Sequence, residues 1–205
     1  MPRLYLVVPA WSDDKALAGA LSHICDEADI AAVLLRLPEG DDEALTRYVA
    51  SVASAFGTRD TALLLDGRAD LALRIAADGA HFTGIDALTA AIGSLKPDRI
   101  AGAGGLETRH DAMLAAEAGA DYVMFGDPGK DGRRPGFDAV LDRVAWWAEV
   151  FQPPCVGFAA DLHEVLPLAQ AGADFIALGE FVFASARPAD TVKAAAAQLS
   201  SVETV

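Results

Sequence analysis

The stretch 66–86, DGRADLALRIAADGAHFTGID, sets two carboxylates, Asp66 and Asp86, close behind two short apolar runs. If those runs are adjacent parallel strands, both side chains reach the same edge of a sheet. Two carboxylates converging there can hold a divalent cation such as Mg²⁺, which takes oxygen ligands and recruits substrate phosphates. A structural reading competes with it: Asp66 forms a turn and caps the next helix, and Asp86 caps another.

Basic residues recur at similar places. Arg36 follows an earlier apolar run, Arg68 follows Asp66, and Arg109 stands beside His110. Lys130, Arg133 and Arg134 form the densest positive cluster of an acidic chain, in the polar break 127–136, DPGKDGRRPG. Such a loop is either solvated or an anion-gripping flap. The run 102–105, GAGG, precedes a helix and can offer backbone N–H groups to an anion. It is neither a Walker loop nor a dinucleotide fingerprint. His110 can serve as acid, base or donor near neutral pH, or simply sit on a helix surface. His81 lies within an apolar run, where a core histidine bonded to a neighbouring strand competes with a substrate contact. No Ser-His-Asp or Cys-His pattern with a nucleophile signature is present. Acids and arginines mixed at one mouth suit a phosphorylated or carboxylated small molecule with a metal ion.

These residues need a scaffold that brings them together. Short β-branched or leucine-rich runs at 4–9, 32–37, 61–66, 79–83, 98–104, 121–126, 154–159 and 174–179 each precede a segment of helical periodicity. That alternation predicts βα units on a parallel sheet. Eight strands with eight helices make a (β/α)8 barrel the expected fold, with a doubly wound open sheet as the alternative. Residues 117–126, EAGADYVMFG, echo 170–179, QAGADFIALG, and predict a repeated helix stop at Gly119 and Gly172 with strand entry at Asp121 and Asp174. In a barrel the strand tops carry chemistry, and they would present Arg36, Asp66, Thr83, Gly104, the Lys130 loop and Glu180.

The 205 residues fit one domain covering 1–205, and no linker divides them. A hydrophobic share of 53% with 22% charged residues indicates a globular chain. A net charge of −14 repels phosphate backbones and anionic lipid, which argues against nucleic acid and membrane partners. The opening MPRLYLVVPAW reads as a first buried strand rather than a signal peptide, so a cytoplasmic location is expected. Cys25 and Cys155 lack metal-type spacing and read as buried thiols. Trp146 and Trp147 read as a helix face packed on the barrel or on another subunit.

The order of segments resembles the thiamine-phosphate synthase and TenI superfamily across nearly the whole chain. The resemblance is carried by LYLVVP, VLLRLPEG, LLLDGRADLALRIAADGAHFTGID, AGAGGLETRHDAMLAAEAGADYVMFG and AGADFIALGEFVFAS. It implies a (β/α)8 barrel, often dimeric. The implied reaction is Mg²⁺-dependent condensation of an aminopyrimidine diphosphate with a thiazole phosphate, releasing pyrophosphate; TenI-type relatives isomerise a thiazole carboxylate phosphate. A non-catalytic, ligand-binding barrel is the third reading.

The strand-top reading and the resemblance together assign Arg36, Arg68, Arg109 and His110 to catalysis. They assign His81, Thr83, Gly104, Lys130, Arg133, Arg134 and Glu180 to substrate, and Asp66 and Asp86 to metal. The chain departs from the family pattern in places. Leu34 and Pro38 stand where Gln and Lys are expected, and Gly67 where a metal Asp is expected. Phe158, Ala159 and Ala160 replace a Gly-Gly phosphate grip, and Gly179 and Glu180 replace a Val-Ser.

Overall fold

The computed structural model describes residues 1–57, 59–75 and 77–201. Eight strands, β1 (Arg3–Val8), β2 (Ile30–Leu35), β3 (Ala62–Asp66), β4 (Gly79–Thr83), β5 (Ile100–Gly104), β6 (Tyr122–Phe125), β7 (Cys155–Ala159) and β8 (Phe175–Leu178), lie within two residues of the runs that predict them. Every neighbouring pair is parallel, and β1 pairs with β8 from Arg3↔Phe175 to Leu6↔Leu178. That last pairing closes the barrel and excludes the open doubly wound sheet.

The helices are α1 (Asp14–Glu27), α2 (Asp42–Ala53), α3 (Ala69–Arg74), α4 (Ile85–Leu95), α5 (Arg109–Glu117), α6 (Phe137–Val150), α7 (Val165–Gln170), α8 (Phe181–Ala184) and α9 (Pro188–Ser200). The sequence suggests one helix per strand, yet two follow β8. The first is a single turn, and Pro188 at the start of α9 begins a new helix because its ring presets φ and lacks an N–H.

Local chemistry explains the element starts. Asp13 accepts the N–H groups of Lys15 and Ala16 at 3.1 and 3.0 Å, Asp41 accepts Ala44 N–H at 2.8 Å, and Thr108 with Asp111 closes a capping box on α5. Gly119 and Gly172 stop α5 and α7 at φ 96° and 98°, a conformation that costs a glycine little. The carboxylates that follow tie strands together. Asp121 Oδ2 accepts Ala101 N–H at 2.7 Å, Asp174 Oδ2 accepts Cys155 N–H at 2.8 Å, and Asp78 Oδ2 does the same for Leu63 at 2.7 Å. The echo is thus a bottom-of-barrel device, and Asp78 makes it threefold.

Strand alternation sorts the core into two. Leu4, Leu6 and Val8 face the helices, whereas Tyr5 and Val7 face the barrel axis with Leu34, Leu64, Met124 and Val156. Trp147 is buried between Phe125 and Phe151 and donates its indole N–H to Pro153 O at 2.7 Å. Trp146 packs beside it, so the pair sits on the barrel's own outer face. Both cysteines are free and buried, and burial pushes the Cys155 thiol up to about 12. Among the described residues no helix is long and apolar enough to cross a membrane.

Candidate active site

At the strand tops a cavity of about 750 Å³ is lined by Arg36, Asp66, Thr83, Lys130, Arg134 and Glu180, with Phe158 and Phe181 as its apolar flank. Six sequence-predicted residues therefore meet in one space. Each comes from the C-terminal end of a strand or the loop after it, the face of a barrel where the βα loops converge.

Arg36 is the hinge of its charge pattern. Its Nη1 donates to Glu180 Oε1 at 3.1 Å, and its Nε lies 3.5 Å from Asp66 Oδ2. One guanidinium thus spans the mouth from β3 to the loop after β8. Neither Asp66 nor Asp86 is a helix cap: α3 is preceded by Arg68 and α4 by Gly84 as their N-cap residues. Asp86 instead occupies the first turn of α4, 89% exposed, with its Oδ2 3.6 Å from Lys130 Nζ. It lines a smaller cleft with Gly84 and Glu107, which Lys130 joins to the main cavity.

Among the described residues no three His, Cys, Asp or Glu side chains gather to hold a metal. The donor set nevertheless fits a cation such as Mg²⁺, which is commonly held by one or two carboxylates plus substrate phosphates rather than by an all-protein cage. Asp86 is open to solvent, and among the described residues Asp66 is engaged only through one oxygen.

Arg134 is held in place. Its Nε donates to Gly126 O at 2.7 Å, one Nη2 proton to Phe158 O at 3.0 Å, and its fork to Glu164 Oε1 and Oε2 at 2.9 and 2.6 Å. Glu164 Oε2 also accepts Ala160 N–H at 2.8 Å. This bidentate pair pins the loop after β6 to the top of β7.

Other predicted residues lie outside the cavity. Arg68 donates to Asp70 and Asp42, and its guanidinium holds both carboxyls below the usual range. Arg109 lies over the Trp146 ring, 4.8 Å from its centroid. His110 is exposed on the first turn of α5, and Arg133 is exposed beside Asp131 at 3.6 Å.

His81 is 2% exposed inside the barrel. Tyr5 Oη lies 2.8 Å from Tyr122 Oη, and Tyr122 Oη lies 2.8 Å from His81 Nδ1. Burial raises both phenols far above their ordinary range, so they stay protonated. When Tyr5 donates to Tyr122 and Tyr122 donates to Nδ1, the imidazole hydrogen sits on Nε2 and faces a carboxylate. That nitrogen faces Asp127 Oδ2 at 3.9 Å. Asp127 Oδ2 accepts Gly105 N–H at 2.8 Å, while its Oδ1 is buried without a partner among the described residues. The GAGG run therefore spends one N–H on Asp127. Its glycines make room: a Cβ on Gly102 would lie 2.0 Å from the Tyr122 ring.

Sequence reading missed Tyr5, Tyr122, Asp127 and Glu164. Paired glycines two apart in β5 were the available sign of a bulky neighbour; Glu164 carried none.

The fold and its mouth define a (β/α)8 barrel with a charged cavity at the strand tops. The family model described as thiamine monophosphate synthase (TMP-TENI) matches residues 4–182, and the chain belongs to that family. It is 39% identical over 179 residues to a thiamine-phosphate synthase of Rhodospirillum centenum, covering 86% of each chain. It is 33% identical over 192 residues to one of Hyphomonas neptunium, covering 88% of this chain and 86% of that one. Among solved structures, thiamine phosphate pyrophosphorylase from Pyrococcus furiosus superposes with a TM-score of 0.81 at 20% identity, over 98% of this chain and 96% of that one. A 3-hexulose-6-phosphate synthase superposes with a TM-score of 0.71 at 16% identity, over 96% and 99%, and shares the fold.

Proposed function

We propose that the chain joins an aminopyrimidine diphosphate to a thiazole acceptor in this cavity and releases pyrophosphate. The observation that supports it is the family membership of residues 4–182 combined with the meeting of Arg36, Asp66, Lys130 and Glu180 in one mouth.

In this reading the C–O bond to the diphosphate breaks with its electron pair on oxygen, and the thiazole nitrogen lone pair forms the new C–N bond. The electrophile is a ring-stabilised cation, so little covalent chemistry falls to the protein. Its residues position and neutralise. Lys130 and Arg36 face the departing charge, Phe158 and Phe181 supply the apolar wall for flat rings, and Asp66 and Asp86 would hold Mg²⁺. When bound, that cation neutralises the leaving diphosphate.

The resemblance also supports a homodimer, which light scattering would show as twice the chain mass. The assay that tests the reaction supplies the diphosphate, Mg²⁺ and the thiazole both as alcohol and as phosphate monoester. Product and pyrophosphate should appear together, and Asp86→Ala should raise the Mg²⁺ needed by more than tenfold. No product with either thiazole at high enzyme concentration overturns the proposal.

A further inference from the structure

The loop after β6 is rooted by a buried carboxylate. Gly126 follows the strand at φ 97°, and Asp127 turns inward, 7% exposed, to accept Gly105 N–H at 2.8 Å on its Oδ2. The same oxygen lies 3.9 Å from His81 Nε2. Asp127 therefore fastens the start of the β6 loop to the loop after β5 and sets it against β4.

The residues that follow are laid across the same strands. A Cβ on Gly105 would lie 3.3 Å from Gly129 Cα, so the chain at 128–129 rests on the β5 loop. Lys130 then reaches over the turn between β4 and α4: a Cβ on Gly84 would lie 2.9 Å from Lys130 Cε, and Lys130 Nζ lies 3.6 Å from Asp86 Oδ2. Gly129 N–H donates to Arg133 O and Gly132 N–H to Gly129 O, both at 2.9 Å, which closes the tip on itself. Arg134 ties the far end to Glu164. A lysine that follows β6 thus arrives above β4 on a segment held at both ends, and Asp127 is the anchor three residues before it. Burying this carboxylate with Oδ1 unpartnered among the described residues costs free energy that one hydrogen bond only partly offsets. Its effect is on placement.

We infer that Asp127 is a positioning residue for the diphosphate grip: its hydrogen bond to Gly105 N–H sets the root of the loop so that Lys130 stands where the main cavity and the cleft beside Asp86 meet. Asp127 acts through Lys130 and touches no ligand itself. The inference rests on the proposed reaction for the identity of the anion, while the placement of Lys130 is a property of the loop.

The test is calorimetric titration of the full chain with inorganic pyrophosphate in excess Mg²⁺. Asp127→Ala and Lys130→Ala should each weaken binding about tenfold, the scale of one charge-assisted hydrogen bond. The double variant should bind no more weakly than Lys130→Ala alone, because the two changes remove the same contact. Asp127→Asn keeps an oxygen for Gly105 N–H and should retain most of the affinity. Asp127→Ser, too short to reach that N–H, should repeat the Asp127→Ala result, with circular dichroism confirming the fold of each variant. A structural role alone would lower the urea midpoint of Asp127→Ala and leave its pyrophosphate affinity where it was. Unchanged affinity in Asp127→Ala and Asp127→Ser, losses that multiply in the double variant, Asp127→Asn as weak as Asp127→Ala, or no pyrophosphate binding by the parent chain overturns the inference. Binding that follows the expected pattern without product in the assay above leaves the positioning role standing and sinks the proposed reaction, while product formation with multiplying losses does the reverse.

Discussion

Gly104 and Asp127 share one space: a Cβ on Gly104 would lie 2.3 Å from Asp127 Oδ2 and 2.6 Å from His81 Nε2. A carboxylate from the loop after β6 thus fills the place of a side chain on β5, and the imidazole from β4 closes the other side.

Gly104→Ala should therefore cost about 1 to 3 kcal/mol, the usual range for overpacking a filled interior. Urea unfolding checks it. The same substitution in an Asp127→Ala background should cost less, because the clashing oxygen is gone, and an unchanged cost would show that the strain lies elsewhere.

Tyr122 sits in the middle of the buried chain, and Tyr5 at its end. Tyr122→Phe leaves the Tyr5 hydroxyl and His81 Nδ1 without partners and should destabilise by about 2 to 4 kcal/mol. Tyr5→Phe removes one donor and leaves Tyr122 bonded to His81, so about 1 kcal/mol is expected. Thermal or urea denaturation of the two variants gives the order, and a larger loss in Tyr5→Phe would contradict the assigned direction of donation.

Alkaline pH should loosen the protein. Burial raises the Cys155 thiol to about 12 and both inner phenols well above their ordinary range. Groups raised in the folded state contribute stability that is full below their unfolded values, about 8.5 for a thiol and 10 for a phenol. That stability is lost as pH climbs toward the folded values, by up to about 1.4 kcal/mol per unit for each group. Melting temperature between pH 8 and 11 should fall, and the fall should be shallower in Tyr5→Phe.

Acid pH acts through Arg68. Its hydrogen bonds to Asp42 and Asp70 lower both carboxyls, so their contribution is present above the ordinary carboxylate range, near pH 4, and is lost as pH falls through the depressed values. Arg68→Ala should flatten the acid limb of the melting curve between pH 2 and 4, by a small amount because both acids are exposed.

Arg36 tests the mouth directly. Arg36→Ala should lower kcat/KM about 10² to 10³-fold, the scale for losing a preorganised charge contact. Arg36→Lys keeps the charge but cannot reach Asp66 and Glu180 together, so it should recover only part of the loss. Steady-state kinetics of both variants decide this.

The fold was legible because its signals are local. Apolar runs of strand length, helix stops at Gly119 and Gly172, and aspartates at strand entry act over a few residues, and the barrel is the arrangement that satisfies all of them. The mouth was legible in part for the same reason: a residue at a strand end of a barrel must face its top, which placed Arg36, Asp66, Thr83, Lys130 and Glu180 together.

What only the tertiary structure decided is which charges neutralise which. Arg36 meets Glu180 across 144 positions, Arg134 meets Glu164 across 30, and His81 meets Tyr122 across 41. Sequence by itself determined the barrel and the supply of charged groups at its mouth. Pairing depends on through-space distance and on competition among several acceptors for one guanidinium, and neither is set until the strands close. That closure takes Arg68 and Arg109 out to the helices, pairs Arg134 with Glu164, and leaves Arg36 spanning the cavity.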